Sequence, residues 1–291
     1  MIPPSFEYFS PASLTEALSL LTKYGEEAKI LSGGHSLIPM MKLRLAAPPY
    51  VIDIGQIDDL DHIKEENGYL SIGALTKEAA LEASNLVAQN YPILLDTAKV
   101  IADPLVRNMA TVGGNLAHGD PANDHPATMI ALEAQVVVTG PGGSRTIPAE
   151  AFFVDLLTTQ LRADEILTEV RIPTPPANSG GAYIKLERKV GDYAIAAVAA
   201  QVTLDADGTC KHVGIGLTNV GNVPIKARDA IDYLLGKKPD EAATKEAGKL
   251  AAAAADPTDD LRGTEEYKRS LVNTLTRRAL NKAVARAKGG S

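Results

Sequence analysis

Two glycine pairs limit what this chain can be. One lies in Leu31-Ser32-Gly33-Gly34-His35-Ser36-Leu37, directly after a short β-rich run, and the other in Thr111-Val112-Gly113-Gly114-Asn115. Each pair is flanked by hydroxyl or amide side chains. Glycine has no Cβ, so it reaches positive φ cheaply and lets backbone approach a ligand closely. Consecutive N–H groups in such a turn form a concave nest for an anion. Two nests in one domain suit a long, phosphate-bearing ligand held at two points; two ordinary tight turns fit the same spacing. No Gly-x-Gly-x-x-Gly and no Walker A run is present, so a dinucleotide would have to be held in another way.

The 291 residues are enough for two or three domains. At 45% hydrophobic and 22% charged, the composition is that of a soluble globular protein. A net charge of −7 with no basic stripe excludes a nucleic-acid surface. The single Cys210 excludes an intrachain disulfide, and also an iron–sulfur cluster held by this chain alone, which needs several ligands. It fits a reducing, cytoplasmic setting. Met1-Ile2-Pro3-Pro4 lacks the basic and apolar regions of a signal peptide, and no apolar run has the length of a membrane span.

Along the chain, Ser13 and Glu16 form a capping-box pattern ahead of Ala17, Leu18, Leu20 and Leu21, and Gly25 closes that helix. Lys29–Leu31 and Tyr50–Ile54 read as strands around the first glycine pair, making a small β-α-β unit up to about residue 55. A second unit alternates strands (68–73, 135–139, 165–172) with helices (76–81, 91–101, 127–132). The run Pro173–Gly181 reads as a linker. Beyond it, strands at 182–188, 194–204 and 211–218 form an antiparallel meander, followed by helices at 227–235, 239–255 and 265–288. Leu271, Leu275, Leu280 and Val284 give the last helix a face for docking on that sheet.

His35 and His125 have no partner at metal-ligand spacing and read as polar loop residues, so no resident metal is expected. Ser32, Ser36 and Thr111 lack a nucleophile elbow; their hydroxyls suit binding. Asp124 is suited either to capping a helix or to accepting from a ribose or ribityl hydroxyl. Lys42 and Arg44 lie just past the first pair, where they would neutralise phosphate or form a solvated face.

These residues carry a resemblance. The run Ser32 to Lys42, SGGHSLIPMMK, with Thr111-Val112-Gly113-Gly114-Asn115, closely resembles the FAD-binding subunits of the molybdenum hydroxylases, and within them the medium subunits of aerobic carbon monoxide dehydrogenases. Met1-Ile2-Pro3, Gly119-Asp120-Pro121, Lys185 to Ala194 and Ile215 to Val220 extend the resemblance over nearly the whole chain. Ser32 departs from the alanine common at its place.

The resemblance implies an α+β fold. Two FAD-binding subdomains of the vanillyl-alcohol-oxidase type would span 1–56 and 57–176, and a three-stranded antiparallel sheet with a helix bundle would span 177–291. It implies FAD between the subdomains, with the Leu31–Leu37 and Thr111–Asn115 turns on its pyrophosphate. Asp124 would stand near the ribityl or ribose hydroxyls, Leu167 would line the adenine or flavin cavity, and Lys185 would reach in from the last domain. Asp192 and Tyr193 would stand near the isoalloxazine. The implied role is electron transfer, with no acid–base residue assigned. A molybdopterin-containing large subunit would oxidise CO with water, and a small subunit with 2Fe–2S clusters would pass the electrons to this FAD. The flavin would deliver them to an external acceptor such as a quinone. The assembly implied is a dimer of heterotrimers, cytoplasmic or at the inner face of the membrane. A complex acting on purine, nicotinate, aldehyde or aryl-CoA substrates is the alternative.

Overall fold

The computed structural model describes residues 2–290; Met1 and Ser291, the ends of the outer segments expected above, lie outside them. Three sheets succeed one another along the chain. The first is parallel, in the order β1-β3-β2, and contains β1 (Glu7–Phe9), β2 (Ala28–Leu31) and β3 (Tyr50–Asp53). Helix α1 (Leu14–Tyr24) is capped by Ser13, whose Oγ accepts from the Glu16 N–H, while the Glu16 carboxylate reaches back to Ala12 N–H. Its buried Ala17 and Leu21 pack with Ile52 and Ile54. Phe9, Tyr24 and Tyr50 stack beside it, at 5.2 and 4.0 Å between centroids. The first glycine pair leaves the carboxyl end of β2 and enters α2 (Leu37–Lys42). That end of a parallel strand is where ligands bind in open α/β sheets.

The second sheet is antiparallel, in the order β4-β5-β10-β6-β7. Strands β4 (Ile63–Glu66) and β5 (Tyr69–Gly73) come first. The helices α3 (Glu78–Ala83), α4 (Asn85–Asn90), α5 (Pro92–Lys99), α6 (Pro104–Arg107), α7 (Val112–His118) and α8 (His125–Ala131) follow. Then come β6 (Gln135–Gly140), β7 (Gly143–Pro148), α9 (Ala149–Phe152), the small hairpin β8 (Phe153–Asp155) and β9 (Thr158–Thr159), and β10 (Ile166–Pro173). Two differences from the sequence reading matter. Strand β7 has no counterpart in the sequence reading: it is an exposed edge strand, and its polar Ser144, Arg145 and Thr146 hide the alternation. The second glycine pair lies in the first turn of α7, and not in a tight turn.

The third sheet contains β11 (Ser179–Glu187), β12 (Ala194–Leu204) and β13 (Cys210–Thr218), to which the two-residue β14 (Ile225–Lys226) adds an edge. Helices α10 (Arg228–Leu234), α11 (Glu241–Ala254) and α12 (Glu265–Ala287) follow. Strand β12 is buried along its whole length, and alternation divides it between two cores. Ala196, Val198, Ala200 and Val202 face the terminal helices; Ala197 and Ala199 face the core built on α5 and α8. Small residues bring the layers close: a Cβ at Gly216 would strike Ala127 O. The same logic corrects the expected linker. Only Thr174–Asn178 lies outside strands, and Gly180 belongs to β11, where a Cβ would strike Ala283 O of α12. These glycines serve close packing. Among the described residues no helix is long and apolar enough to cross a membrane.

Candidate functional site

The two glycine pairs meet. Ser32 Oγ and Thr111 Oγ1 hydrogen-bond at 3.0 Å. A Cβ on Gly33 would collide with Met109 O and stand 2.8 Å from Ala110 Cα; one on Gly114 would stand 2.8 Å from Ser32 Oγ. Each pair is therefore shaped to let the other segment approach.

Their backbone donors differ. Among the described residues no acceptor takes the N–H of Gly33, Gly34, His35, Ser36 or Leu37. Gly34 turns at φ +75°, and His35 Nδ1 closes the turn on Gly33 O at 2.9 Å. In the second segment, Val112 N–H donates to Thr76 O, Gly113 N–H to Ala74 O, Gly114 N–H to Thr111 Oγ1 and Asn115 N–H to Thr111 O. The reading of two equal N–H nests is corrected here. The first segment presents a run of open donors, whereas the second spends four on protein and offers a hydroxyl and Asn115, whose buried Oδ1 has no partner. The first opens into a cleft of 420 Å³ lined by Gly33, Gly34, His35, Ile38, Lys42 and Met109, among others. Met109 was not legible as a lining residue, because a tertiary contact brings it there.

Asp124 directly precedes α8, yet its side chain caps nothing there. Its Oδ1 accepts from Tyr183 Oη at 2.6 Å and its Oδ2 from Lys185 Nζ at 3.0 Å. Lys185 also donates to Val100 O. Burial pushes the Asp124 carboxyl above the usual carboxylate range, against the opposing pull of the Lys185 charge and the Tyr183 hydrogen bond. Burial first, and the Asp124 charge second, raise Tyr183 well above an ordinary phenol. Thus Asp124 and Lys185 do come together, but as a buried ion pair joining α8 to β11, with Tyr183 as a third member that the sequence did not single out. Beside it, the buried His125 Nε2 lies 2.8 Å from Glu78 Oε2. Burial depresses the imidazole, the Glu78 carboxylate more than offsets this, and His125 titrates above the usual histidine range.

Asp192 and Tyr193 lie on the loop between β11 and β12. Asp192 Oδ1 accepts from Tyr193 N–H at 2.9 Å, and Tyr193 is half exposed. Backbone contacts tie this loop toward the second glycine pair. Asn219 donates its side-chain amide to Ala194 O and its N–H to Pro121 O, and Asn123 Nδ2 donates to Asn115 O. Leu167 lies one residue before Thr168, whose carbonyl accepts the Ala74 N–H behind the second glycine pair. It is 4% exposed, in the core of the second sheet beside Val138 and Val170, next to a register shift in β10. Among the other histidines, His62 links to Ser71 Oγ at 2.9 Å and His212 to Glu133 at 3.1 Å.

The residues present fit a dinucleotide's phosphates: open N–H donors, a glycine with left-handed φ, and a cleft beside them. Residues 4–175 match the family model of the FAD-binding domain in molybdopterin dehydrogenases, and residues 181–283 match that of the CO dehydrogenase flavoprotein C-terminal domain. The chain belongs to the FAD-binding subunits of the molybdopterin dehydrogenases. It is 46% identical to the carbon monoxide dehydrogenase medium chain of Hydrogenophaga pseudoflava over 286 residues, 98% of this chain and 99% of that one. It is 46% identical over 288 residues to the corresponding chain of Afipia carboxidovorans, 99% of this chain and 100% of that one. A solved structure of the Hydrogenophaga pseudoflava carbon monoxide dehydrogenase lacking the Mo-pyranopterin moiety superposes with a TM-score of 0.96 at 47% identity, covering 98% of this chain and 99% of that one.

Proposed function

We propose that this chain is the FAD-carrying electron-transfer subunit of a carbon monoxide-oxidising molybdenum hydroxylase. The observation that carries the reading is the run of open N–H donors from Gly33 to Leu37 beside the cleft, in a chain of this family. When bound, FAD supplies the redox chemistry; the protein supplies placement and electrostatics. The Gly33–Leu37 donors would hold the pyrophosphate, and Leu31 and Ser32 lead the backbone to them. Thr111 and Asn115 would add side-chain contacts, with Val112, Gly113 and Gly114 fixing the segment. The buried Asp124–Tyr183–Lys185 set fixes the third sheet against α8, which sets where the 188–193 loop stands. Asp192 and Tyr193 would then border the flavin ring. Leu167 would line the adenine or flavin cavity. We read the chain as units of 1–56, 57–176 and 177–291.

With one cysteine, Cys210, itself buried, the iron–sulfur clusters belong to a partner subunit, and the molybdopterin to another. The test is to purify the chain with its co-expressed partners and assay the complex with CO and, separately, with heteroaromatic substrates. CO-dependent reduction of an artificial acceptor supports the reading. Oxidation of a heteroaromatic compound without CO activity would move the chain to another branch of the family. A complex that takes up no flavin would overturn the role entirely.

A further inference from the structure

Arg262 lies in the loop between α11 and α12, far along the chain from either glycine pair, and had no role in the sequence reading. Its Nη2 donates to Asp192 Oδ1 at 3.0 Å, the same oxygen that accepts Tyr193 N–H. Its Cζ stands 5.8 Å from the centroid of the Tyr193 ring. The loop that carries it is itself fixed. Asp260 Oδ1 accepts the N–H groups of Arg262 and Gly263, and Asp260 Oδ2 pairs at 2.8 Å with Lys268 Nζ of α12, a side chain only 3% exposed. The opposite side of the 188–193 loop is braced as well: a Cβ on Gly191 would stand 3.0 Å from Ala102 O. Asp192 Oδ2 lies 3.5 Å from the exposed Arg188 Nη2 of the same loop, too far for a strong hydrogen bond, and the buried Arg262 Nε has no hydrogen-bond partner. Buried polar groups are rarely left unpaired, and a free guanidinium N–H bordering a candidate cofactor site has capacity left for a ligand.

We propose that Arg262 is a positioning residue: from the terminal helical layer it holds Asp192 and, through it, Tyr193 in place against the flavin. The inference rests on the reading above that Asp192 and Tyr193 border the ring. Arginine suits the task because its planar fork fixes direction as well as charge, and lies over an aromatic face; a lysine ammonium offers only a point charge.

The test uses the assembled, FAD-loaded complex. Arg262→Met should release FAD about tenfold faster, the scale of a lost charge-assisted hydrogen bond. It should also change the visible circular dichroism of the bound flavin, at an unchanged melting temperature of the complex. Asp192→Asn should do the same, and the double variant should be no worse than either single one, because the two act as a unit. Arg262→Lys should lie between, and it decides the matter should the methionine variant fail to assemble. A wild-type release rate and flavin spectrum in Arg262→Met, or a lowered melting temperature with both flavin signals unchanged, would overturn the proposal. Tyr193→Ala separates the two levels. If it moves the flavin signals and Arg262→Met does not, only the role of Arg262 falls. If Tyr193→Ala moves neither, the placement of Tyr193 falls and the proposal with it.

Discussion

The same dipeptide does different physical work at its two occurrences. Gly33-Gly34 leaves a strand through a left-handed residue, and among the described residues no acceptor takes the N–H groups from Gly33 to Leu37. Gly113-Gly114 enters a helix, and the donors from Val112 to Asn115 end on Thr76, Ala74 and Thr111. The first pair is conformational and faces a cleft. The second is steric: it lets α7 press on Ala74 and on Ser32. A ligand cradle therefore has two kinds of glycine, one that presents donors and one that brings up the support behind them.

The largest effect should come from attacking the support. Gly113→Val places a Cβ 2.6 Å from Ala74 Cβ and 2.7 Å from Ala74 Cα and O, where backbone has to move. Overpacking of this kind should cost about 3 kcal/mol or more, read as loss of soluble chain or a sharply lower melting temperature. A variant that melts like wild type would abolish the distinction. Gly34→Val should be milder for the fold and severe for the ligand. Its Cβ meets the flexible end of Ile38, and the left-handed φ costs a non-glycine residue about 1–2 kcal/mol. The turn relaxes and the donors lose their common aim, so FAD content should collapse while the chain stays folded.

A pH-dependent effect sharpens the supporting role further. The Glu78 N–H donates to Ala110 O, so the buried Glu78–His125 pair stands directly behind the second glycine segment. The folded pKa of His125 lies above its unfolded value of about 6.5. Its stabilising contribution is therefore full below that value and is lost as pH rises through the folded one. The melting temperature of wild type, relative to Glu78→Gln/His125→Gln, should fall as the solution is made more alkaline from about pH 6.5. A difference that is constant or grows with pH would contradict this. The smallest effect belongs to Ser32→Ala, which removes one hydroxyl pair. It should change stability by no more than about 1 kcal/mol, and FAD affinity to a matching degree, by titration of the flavin-free chain.

What could be read in the sequence follows from range. Local signals carried through: the Ser13 cap, the long strands expected at 194–204 and 211–218, and the apolar stripe of the last helix. Elements without periodic contrast did not. β1 has three residues, and β7 is a polar edge. Glycine was misread wherever packing decided its use, as at Gly180 and Gly113, because the atoms that exclude a Cβ belong to Ala283 and Ala74, remote in sequence. At the site, the open donors of Gly33 to Leu37 were visible as a motif. The engagement of Asp124 by Tyr183, the approach of Met109 and the hold of Arg262 on Asp192 were not, since nothing local marks a partner that arrives through tertiary packing.

The first glycine turn is the cradle and the second its support. The direct measurement is the ratio of FAD to this chain, by flavin absorbance, in the complex purified with Gly34→Val. An assembled complex with next to no FAD is expected, beside a wild-type complex with stoichiometric FAD. Stoichiometric FAD in Gly34→Val would contradict it.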